Sequence, residues 1–460
     1  MVLHDKVHMN LNNLKWSLVL LAILMLSCTQ DRMAEEMALD FELQELLVQN
    51  APFNEGMEYF ILPSETAFED IPQDAERNPL SPSKVELGKF LFFETGFATN
   101  ALRDEGLGTY SCATCHIPEA GYKPGTKQGI ADGGEGFGLK GEARRRSSSY
   151  IITELDVQSA RPLSLVNVAY VKNTTWNGRF GAEGANVGTE SYWKESDGTA
   201  MNALGFEALE TQNFEGLETH RIHITEDLID DYGYRDLFDS AFPDMEDELK
   251  YSNHGGSLAI SAYLRTVISN KAPFQDWLNG NSAAMTTDEK NGAMLFFGKA
   301  NCSNCHYQKN LGSGEFHALG VNDIDDNAFY RTTEAELQDR NLGRGAFTGL
   351  EEDLYKFKVP GIYNTGDARH FFHGASALTL EDVIDYKNRA VSENEDIPQD
   401  LLSEKFVQLN LTQEEQVQLV AFIRNALTDP DLTRYKPESV KSGLCFPNND
   451  PESQLDLGCN

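Results

Sequence analysis

Two copies of the pentapeptide Cys-x-x-Cys-His constrain this 460-residue chain more than any other feature of its sequence; they span residues 112–116 and 302–306. At this spacing, two cysteine sulfurs can bond covalently to one porphyrin, and the imidazole of the next residue serves as an axial ligand of the iron. The motifs therefore predict two covalently bound c-type haems, and two haems indicate electron transfer or redox catalysis. The predicted attachment residues are Cys112, Cys115, His116, Cys302, Cys305 and His306.

Half of a structural zinc site is the alternative interpretation of such a motif. A structural zinc ion needs four Cys or His ligands, usually supplied as a second nearby pair. The first motif has no close Cys or His partner, and only His317 follows the second at some distance. Four of the seven cysteines fall in the two motifs, so the sequence favours haem over zinc.

The N-terminus is typical of an export signal. Lys6 and Lys15 precede an apolar run over residues 16–26, which is too short to span a bilayer as a mature helix. The run ends in Ser27-Cys28, which resembles a bacterial lipobox, so residues 1–27 are predicted to be a lipoprotein signal peptide. The anchor at Cys28 would hold the protein in the periplasm or outer cell envelope. An ordinary signal peptide with an incidental Cys28 is the alternative.

The chain is strongly acidic, with a formal net charge of −34. Nucleic acid is excluded as a partner, because phosphate binding needs clustered cations. The acidity can keep an exported protein soluble, and it can also steer a basic electron donor to the surface.

The two remaining cysteines, Cys445 and Cys459, flank an acidic, loop-like tail. In an oxidising compartment we expect them to form a disulfide that closes this tail.

The stretches that lead into the two motifs resemble each other, which indicates an internal duplication. Ser81-Pro82 predicts the start of a helix that contains a Leu-Phe-Phe patch, and Thr286 with Glu289 forms a predicted capping box before another such helix. A further capping box at residues 412–415 predicts the closing helix. The predicted fold is mainly α, with two tandem cytochrome c-like haem domains, long loops and few strands. The predicted segments are a tether over 28–75, an N-terminal domain over 76–284, a C-terminal domain over 285–430 and a tail over 431–460.

Over roughly residues 78–430 the chain resembles the bacterial dihaem cytochrome c peroxidase family, including its MauG-like branch. Each matching segment is weak by itself, but their order and spacing together are specific. Besides the two motifs, these segments are Leu80-Ser81-Pro82, Leu87–Phe93, Ser164–Tyr170, Trp176–Arg179, Phe357–Asn364 and Phe371–Gly374.

The resemblance implies a peroxidase that reduces hydrogen peroxide to water at the N-terminal haem. A small electron-donor protein, a cytochrome c or a copper protein, would deliver electrons to the C-terminal haem. Trp176 stands at the position of the tryptophan between the haems, and Glu207 or Glu210 is predicted to transfer protons. One alternative is a MauG-like enzyme that oxidises Trp or Tyr residues of a partner protein, and another is a dihaem electron carrier without enzymatic activity. A homodimer stays open as the assembly.

The axial ligands distinguish these alternatives. His116 and His306 are the proximal ligands by motif. Peroxidase-type relatives carry a second histidine before the tryptophan, but no histidine lies between His116 and Trp176 here. The resemblance therefore predicts an open or weakly ligated N-terminal haem, as in the MauG-like branch, with His220 and His223 as the nearest alternative ligands.

The distal ligand of the C-terminal haem departs from the family pattern. The family places a methionine or a tyrosine fourteen residues after the position of His373, which is Lys387 in this chain, with Tyr386 just before it. No methionine follows Met294. Lys387 and Tyr386 are the predicted metal ligands, and His370, His373 or water is the alternative.

Calcium between the domains is a further feature of the family. The asparagine that contributes to that site is replaced by Arg161, and a Thr-x-Pro segment is replaced by residues 368–370. Backbone carbonyl groups could still bind calcium, so this cofactor stays open.

Overall fold

The structure is a computed structural model that describes residues 34–324, 341–366 and 368–459. The predicted signal peptide and Cys28 lie outside these ranges. Within them the fold is mainly helical, as predicted. No helix in this part of the chain is long and apolar enough to cross a membrane.

Thirteen α-helices of the described ranges, separated by long loops and short 3-10 turns, carry the fold. In chain order they are α1 (residues 34–50), α2 (Pro82–Phe93), α3 (Ala208–Thr219), α4 (Glu226–Asp231), α5 (Arg235–Ala241), α6 (Asp247–Lys250), α7 (Asn253–Arg265), α8 (Pro273–Leu278), α9 (Thr287–Phe297), α10 (Arg344–Thr348), α11 (Leu380–Arg389), α12 (Gln413–Ala421) and α13 (Pro451–Leu457).

The helices that precede the two motifs begin as the sequence predicts. The Ser81 hydroxyl accepts the backbone N–H of Lys84, and Pro82 occupies the first turn of α2. At α9 the Thr286 hydroxyl accepts the N–H of Glu289, whose carboxylate accepts the N–H of Thr286 at 2.8 Å. These caps satisfy backbone donors that have no partner inside the helix.

Each motif is accompanied by a pair of helices that cross at a glycine. Helix α2 packs on α7, and a methyl group at Gly88 would overlap the carbonyl oxygen of Ala259. Helix α9 packs on α12 in the second half, and a methyl group at Gly292 would overlap the carbonyl oxygen of Gln418. Only glycine lets the backbones approach this closely. The repeated contact supports the predicted duplication of a cytochrome c-like unit.

Strands are few and short in the described residues, as predicted. Strand β1 (Gly134–Glu135) pairs with β2 (Arg145–Arg146), and β3 (Phe316–His317) pairs with β4 (Phe357–Lys358). Both pairs are antiparallel. The second pair matters for the site, because β4 lies between the two halves of the molecule.

The C-terminal tail folds back onto the first half. Cys445 and Cys459 form the predicted disulfide. The carbonyl of Pro447 accepts hydrogen bonds from the hydroxyls of Ser111 and Thr114, which flank or belong to the first motif. The tail therefore buttresses the turn that carries the first pair of haem cysteines.

A buried ion pair holds the tail to the loop before β2. Arg144 donates to a carboxylate oxygen of Asp450 at 2.8 Å, and both side chains are nearly inaccessible to solvent. Arg144 also donates to the carbonyls of Ile130 and Ala131. These bonds satisfy a charge that burial would otherwise penalise.

Candidate haem sites and the cavity between them

The histidines of both motifs are held in the same way. Nδ1 of His116 lies 3.1 Å from the carbonyl oxygen of Tyr122, and Nδ1 of His306 lies 2.7 Å from that of Leu311. An Nδ1–H that donates to a carbonyl leaves the lone pair of Nε2 free for a metal. Burial lowers the pKa of each imidazole to about 4, so both are neutral, as metal binding requires.

The four motif cysteines form no disulfide. Cys112, Cys115, Cys302 and Cys305 are all free thiols, while the chain's disulfide lies in the tail. Burial raises the pKa of Cys112, Cys115 and Cys302 to about 12. These thiols are available for thioether bonds, and they do not compete with the tail for oxidation.

A cavity of about 400 Å³ opens beside the first motif. Cys112, Cys115 and His116 lie on its wall, and much of the remaining surface is aliphatic. A flat, largely apolar porphyrin suits such a wall. The donor set and the cavity therefore fit a c-type haem at this motif. The aliphatic lining includes Val166, Val168, Leu209, Ile260 and Leu264.

A histidine–aspartate pair lies in the same cavity and was not predicted. Nδ1 of His220, at the C-terminal end of α3, is 2.8 Å from a carboxylate oxygen of Asp156. Burial pushes the pKa of His220 down, but the charge and hydrogen bond of Asp156 raise it by more, so that it stands above its ordinary value. The sequence predicts His220 only as an alternative ligand. Nothing in the sequence spacing predicts that Asp156 lies beside it.

The structure does not bring the two predicted proton-transfer residues to this cavity. Glu210 is fully buried and is bound by Arg265 at 2.6 Å and by the amide of Asn78 at 3.1 Å. Glu207 lies 3.0 Å from the same Arg265. Arg265 is itself 1% exposed, and its buried guanidinium needs these carboxylates as partners. The pair therefore stabilises the packing of α3 on α7.

Trp176 lines the cavity and joins the two halves. Its indole N–H donates to the carbonyl of Arg161 at 2.6 Å, and its own carbonyl accepts the backbone N–H of Lys358 in β4 at 2.8 Å. Its ring meets that of His373 edge to face, with centroids 6.1 Å apart. His373 in turn stacks on Phe357 with centroids 3.5 Å apart. Aromatic groups of the second half thus pack beside Trp176.

The backbone hydrogen bond between Trp176 and Lys358 leads, through a short chain segment, to the second motif. Pro360, two residues beyond Lys358, also lies on the cavity wall. Its carbonyl lies near the imidazole of His306 and acts against the lowering of that group's pKa by burial. The resemblance predicts Trp176 between the haems, and in the structure one backbone hydrogen bond and the segment from Lys358 to Pro360 connect Trp176 to the surroundings of the second histidine.

Lys387 and Tyr386 point to different surroundings although they are neighbours on α11. The Tyr386 hydroxyl donates to the carbonyl of Leu319 at 2.6 Å, and its ring stacks on Phe406. The ammonium group of Lys387 interacts electrostatically with Cys302, which places it at the second motif. Burial lowers the pKa of Lys387 to about 8. The described residues offer Lys387 no carboxylate or hydrogen-bond partner.

The other two candidate ligands of the second haem have different surroundings. Nε2 of His373 lies 2.9 Å from a carboxylate oxygen of Asp323, and one face of its ring stacks on Phe357. Nδ1 of His370 is buried without a hydrogen-bond partner. Burial and the charge of nearby Arg161 lower the pKa of His370 to about 4, and the proximity to Arg161 puts His370 near the junction between the halves.

The guanidinium of Arg161 lies at the position where the family resemblance predicts a calcium site. It donates to the carbonyls of Thr126 at 2.7 Å and Pro124 at 3.3 Å, with Lys127 at 3.5 Å. Arg161 is 3% exposed, and in the described part of the chain no carboxylate lies within ion-pair distance of it. A cation already occupies the carbonyl oxygens that a metal would need, so these residues do not fit calcium.

The zinc alternative gains only a group of three ligands in the described residues. A sulfur of Cys305, a carboxylate oxygen of Glu315 and a nitrogen of His317 lie within 4.8 Å of one another. Both nitrogens of His317 already have partners, Glu315 at 2.8 Å and Ser403 at 2.9 Å. Since Cys305 also belongs to the second motif, this group is not an independent site.

The chain has clear relatives. The family model for di-haem cytochrome c peroxidase matches residues 82–283. Methylamine utilization protein MauG of Methylorubrum extorquens is 26% identical over 77% of this chain and 80% of its own length. Cytochrome c551 peroxidase of Pseudomonas aeruginosa is 23% identical over 69% of this chain and 76% of its own length.

A solved structure shares the fold. It is a MauG-like protein associated with microbial copper homeostasis, which is 25% identical, covers 81% of this chain and 95% of its own, and superposes with a TM-score of 0.54. Taken with the two haem-attachment motifs, these matches support the dihaem cytochrome c peroxidase and MauG-like family, and with it an oxidoreductase that uses peroxide as electron acceptor.

Proposed function

We propose that this chain reduces hydrogen peroxide to water, with electrons from a small cytochrome c or copper protein that enter at the second motif. The observation that carries the proposal is the continuous cavity that holds His116 at one end and reaches Trp176 and the β4 segment of the other half. We also propose that the mature protein is anchored by lipid at Cys28 in the cell envelope, because the apolar run ends in a lipobox-like sequence.

The residues divide the work between the two sites. The haem, when bound, supplies the redox-active iron at which the oxygen–oxygen bond is cleaved. His116 and His306 would hold the two groups through Nε2, and their Nδ1 atoms are fixed by carbonyls. Trp176 would carry an electron between the sites, since its indole N–H donates to the Arg161 carbonyl and its own carbonyl accepts the backbone N–H of Lys358.

Oxidation of a partner protein is the second candidate function. The absence of a histidine between His116 and Trp176, and of a methionine after Met294, departs from peroxidase-type relatives in the direction of MauG. MauG of Methylorubrum extorquens is also among the relatives. A sealed electron carrier is a weaker alternative, because the cavity at the first motif is open enough to admit a small molecule.

Steady-state turnover tests the proposed function. The holoprotein, mixed with peroxide and a reduced small cytochrome or copper protein, is expected to oxidise two donor molecules per peroxide, followed by absorbance. Sub-stoichiometric turnover together with a long-lived peroxide-oxidised state would favour the MauG-like alternative. Two low-spin haems that peroxide does not affect, seen by EPR, would favour the electron carrier.

Replacement of Trp176 by Phe is expected to slow electron transfer between the sites about tenfold or more, which corresponds to about 1.4 kcal/mol of activation free energy. The indole N–H bond to the Arg161 carbonyl and part of the aromatic contact with His373 are lost. Stopped-flow absorbance after peroxide addition measures the rate. Trp193→Phe is the control, because Trp193 does not line the cavity. Equal rates in the two variants would remove Trp176 from the route.

We further propose that Lys387, rather than Tyr386, is the distal ligand of the second haem. Three observations support it: the amine interacts electrostatically with Cys302 and Cys305 of the second motif, it has no carboxylate or hydrogen-bond partner among the described residues, and the Tyr386 hydroxyl donates to the Leu319 carbonyl. An amine ligand is expected to lower the reduction potential relative to a thioether.

A matched pair of variants tests this ligand. Lys387→Met is expected to change the low-spin EPR signal of the oxidised protein and to raise the potential of one haem, because a thioether favours the reduced iron. Tyr386→Phe is expected to leave both unchanged and to reduce only stability, since its hydrogen bond is lost. A changed EPR signal in Tyr386→Phe, with an unchanged one in Lys387→Met, would contradict the assignment.

A further inference from the structure

We propose that His220, oriented by Asp156, is the group that transfers the proton during cleavage of peroxide at the first site. This inference rests on the proposed function and assigns the proton transfer to residues other than the two glutamates expected from the sequence. It is carried by the position of the pair in the cavity of the first motif.

The position of His220 follows from the end of α3. The backbone N–H of His220 donates to the carbonyl of Gly216 at 2.9 Å, which places the ring at the end of the helix. Asp156, which is 7% exposed, takes the Nδ1 side of the ring at 2.8 Å. Nε2 has no hydrogen-bond partner in the described residues. The ring also interacts electrostatically with His116 on the wall of the same cavity.

The chemistry needs one group that can both accept and return a proton. The balanced reaction is H₂O₂ + 2 e⁻ + 2 H⁺ → 2 H₂O, with electrons from the donor protein and protons from water. Nε2 of His220 accepts the proton of one peroxide oxygen and returns it to the other, which leaves as water when the O–O bond breaks. Asp156 keeps Nδ1 protonated and stabilises the imidazolium that forms in between.

Carboxylates are the rivals for this role. Glu207 and Glu210 are bound to Arg265 and do not line the cavity. Glu215 does line it, but one of its oxygens accepts the hydroxyl of Thr219, one turn further along α3. Glu215 is therefore the competing candidate for the proton-transfer role, and the variants below test it.

Three variants of the holoprotein separate these roles. His220→Gln is expected to lower kcat/KM for peroxide by about 10²–10⁴-fold, the usual contribution of a general acid–base group. His223→Gln is the control and is expected to stay near wild type, and Glu215→Gln tests the rival carboxylate, which is expected to lose much less activity than His220→Gln. His223 is three residues away and its side chain is outside the cavity wall.

The pH profile supplies a second measurement. The charged and titratable groups that face His220 are Asp156, Arg221, Glu215 and His116. Because the Asp156 charge raises the pKa of His220, kcat/KM is expected to rise with pH through that raised value. In Asp156→Asn the pKa falls, so the acid limb is expected to move to lower pH.

Fluoride binding by the oxidised protein gives a readout without turnover. A protonated His220 can donate a hydrogen bond to bound fluoride, so its affinity is expected to fall at least about tenfold in His220→Gln and to stay unchanged in His223→Gln. Equal kcat/KM and equal fluoride affinity in these two variants would overturn the proposal, as would a large loss of kcat/KM in Glu215→Gln alone.

A low-spin EPR signal that becomes high-spin only in His220→Gln would also overturn the proposal, because it would make His220 a ligand of the iron. Wild-type protein that binds fluoride through His220 but does not turn over peroxide would refute the proposed function and not this placement.

A separate observation supports a second proposal. We infer that the guanidinium of Arg161 replaces the calcium ion at the junction between the two halves. It is a buried cation whose hydrogen-bond acceptors among the described residues are backbone carbonyls, and carbonyl oxygens are also ligands that calcium accepts. The backbone of Arg161 bonds both His373 and the Trp176 indole, so the same residue positions the tryptophan.

Calcium content and thermal stability test this inference without any turnover. Wild-type holoprotein, equilibrated with Ca²⁺ and desalted, is expected to hold no calcium by plasma mass spectrometry, and EGTA is expected to leave its optical spectrum unchanged. Arg161→Asn is expected to melt at lower temperature, with a Tm that Ca²⁺ raises. Arg161→Lys keeps a cation there and is expected to melt higher than Arg161→Asn, with no response to Ca²⁺.

Either of two results would overturn the replacement of calcium by Arg161. One is a calcium ion retained by the wild-type protein at about one per chain, whose removal changes the spectrum. The other is a folded Arg161→Asn variant whose Tm does not respond to Ca²⁺. If that variant fails to fold, the wild-type measurement and Arg161→Lys still decide the question.

Discussion

Two helices cross at a glycine in each half, and both haem sites depend on this contact. Because Gly88 and Gly292 have no side chain, α2 rests on the backbone of α7 and α9 on that of α12. The close approach turns the aromatic patches of α2 and α9 toward the motifs. Phe92 reaches the cavity wall, and the ring of Phe296 lies 6.2 Å from that of His306. A larger residue at either crossing would separate the helices and shift the aromatic support of the axial histidine.

The scaffold therefore holds the two axial histidines in the same way, but different side chains lie near each of them. The Nδ1 atoms of His116 and His306 are fixed by carbonyls in the same manner. Near the first lies a second imidazole whose outer nitrogen is free and whose inner nitrogen is held by a carboxylate. Near the second lies the amine of Lys387, which has the ring of Phe406 beside it but no carboxylate or hydrogen-bond partner in the described residues. A proton-transferring group suits a site that admits substrate, and a coordinating amine suits a site that only passes electrons.

The parts of this arrangement that are local in sequence were predictable. Cap chemistry located the starts of α2 and α9, and the motif spacing located the axial histidines, because each depends on residues within a few positions. The closing helix was predicted only in part: it begins at the predicted capping box, but the π-turn over Phe422–Ala426 that follows it was not predicted. The partner of each carboxylate was not predictable. Glu210 and Asp156 are both buried acids, and only long-range packing pairs one with Arg265 and the other with His220.

Electron transfer over a fixed path requires that the two halves keep their distance, and several unrelated contacts serve this end. The Arg161 carbonyl accepts the indole N–H of Trp176, and the backbone N–H of Lys358 donates to the Trp176 carbonyl. The ammonium of Lys123, next to the residue that fixes His116, donates to the carbonyl of Asn364 in the second half at 2.8 Å. The tail returns from the second half to the turn of the first motif, where the Asp450–Arg144 pair is shielded from water. A buried pair is costly to break by removing one partner, about 3–5 kcal/mol, so the tail is a firm attachment. Hence the described part of the tail, although remote in sequence from the first motif, belongs to the framework that holds the turn of that motif in place.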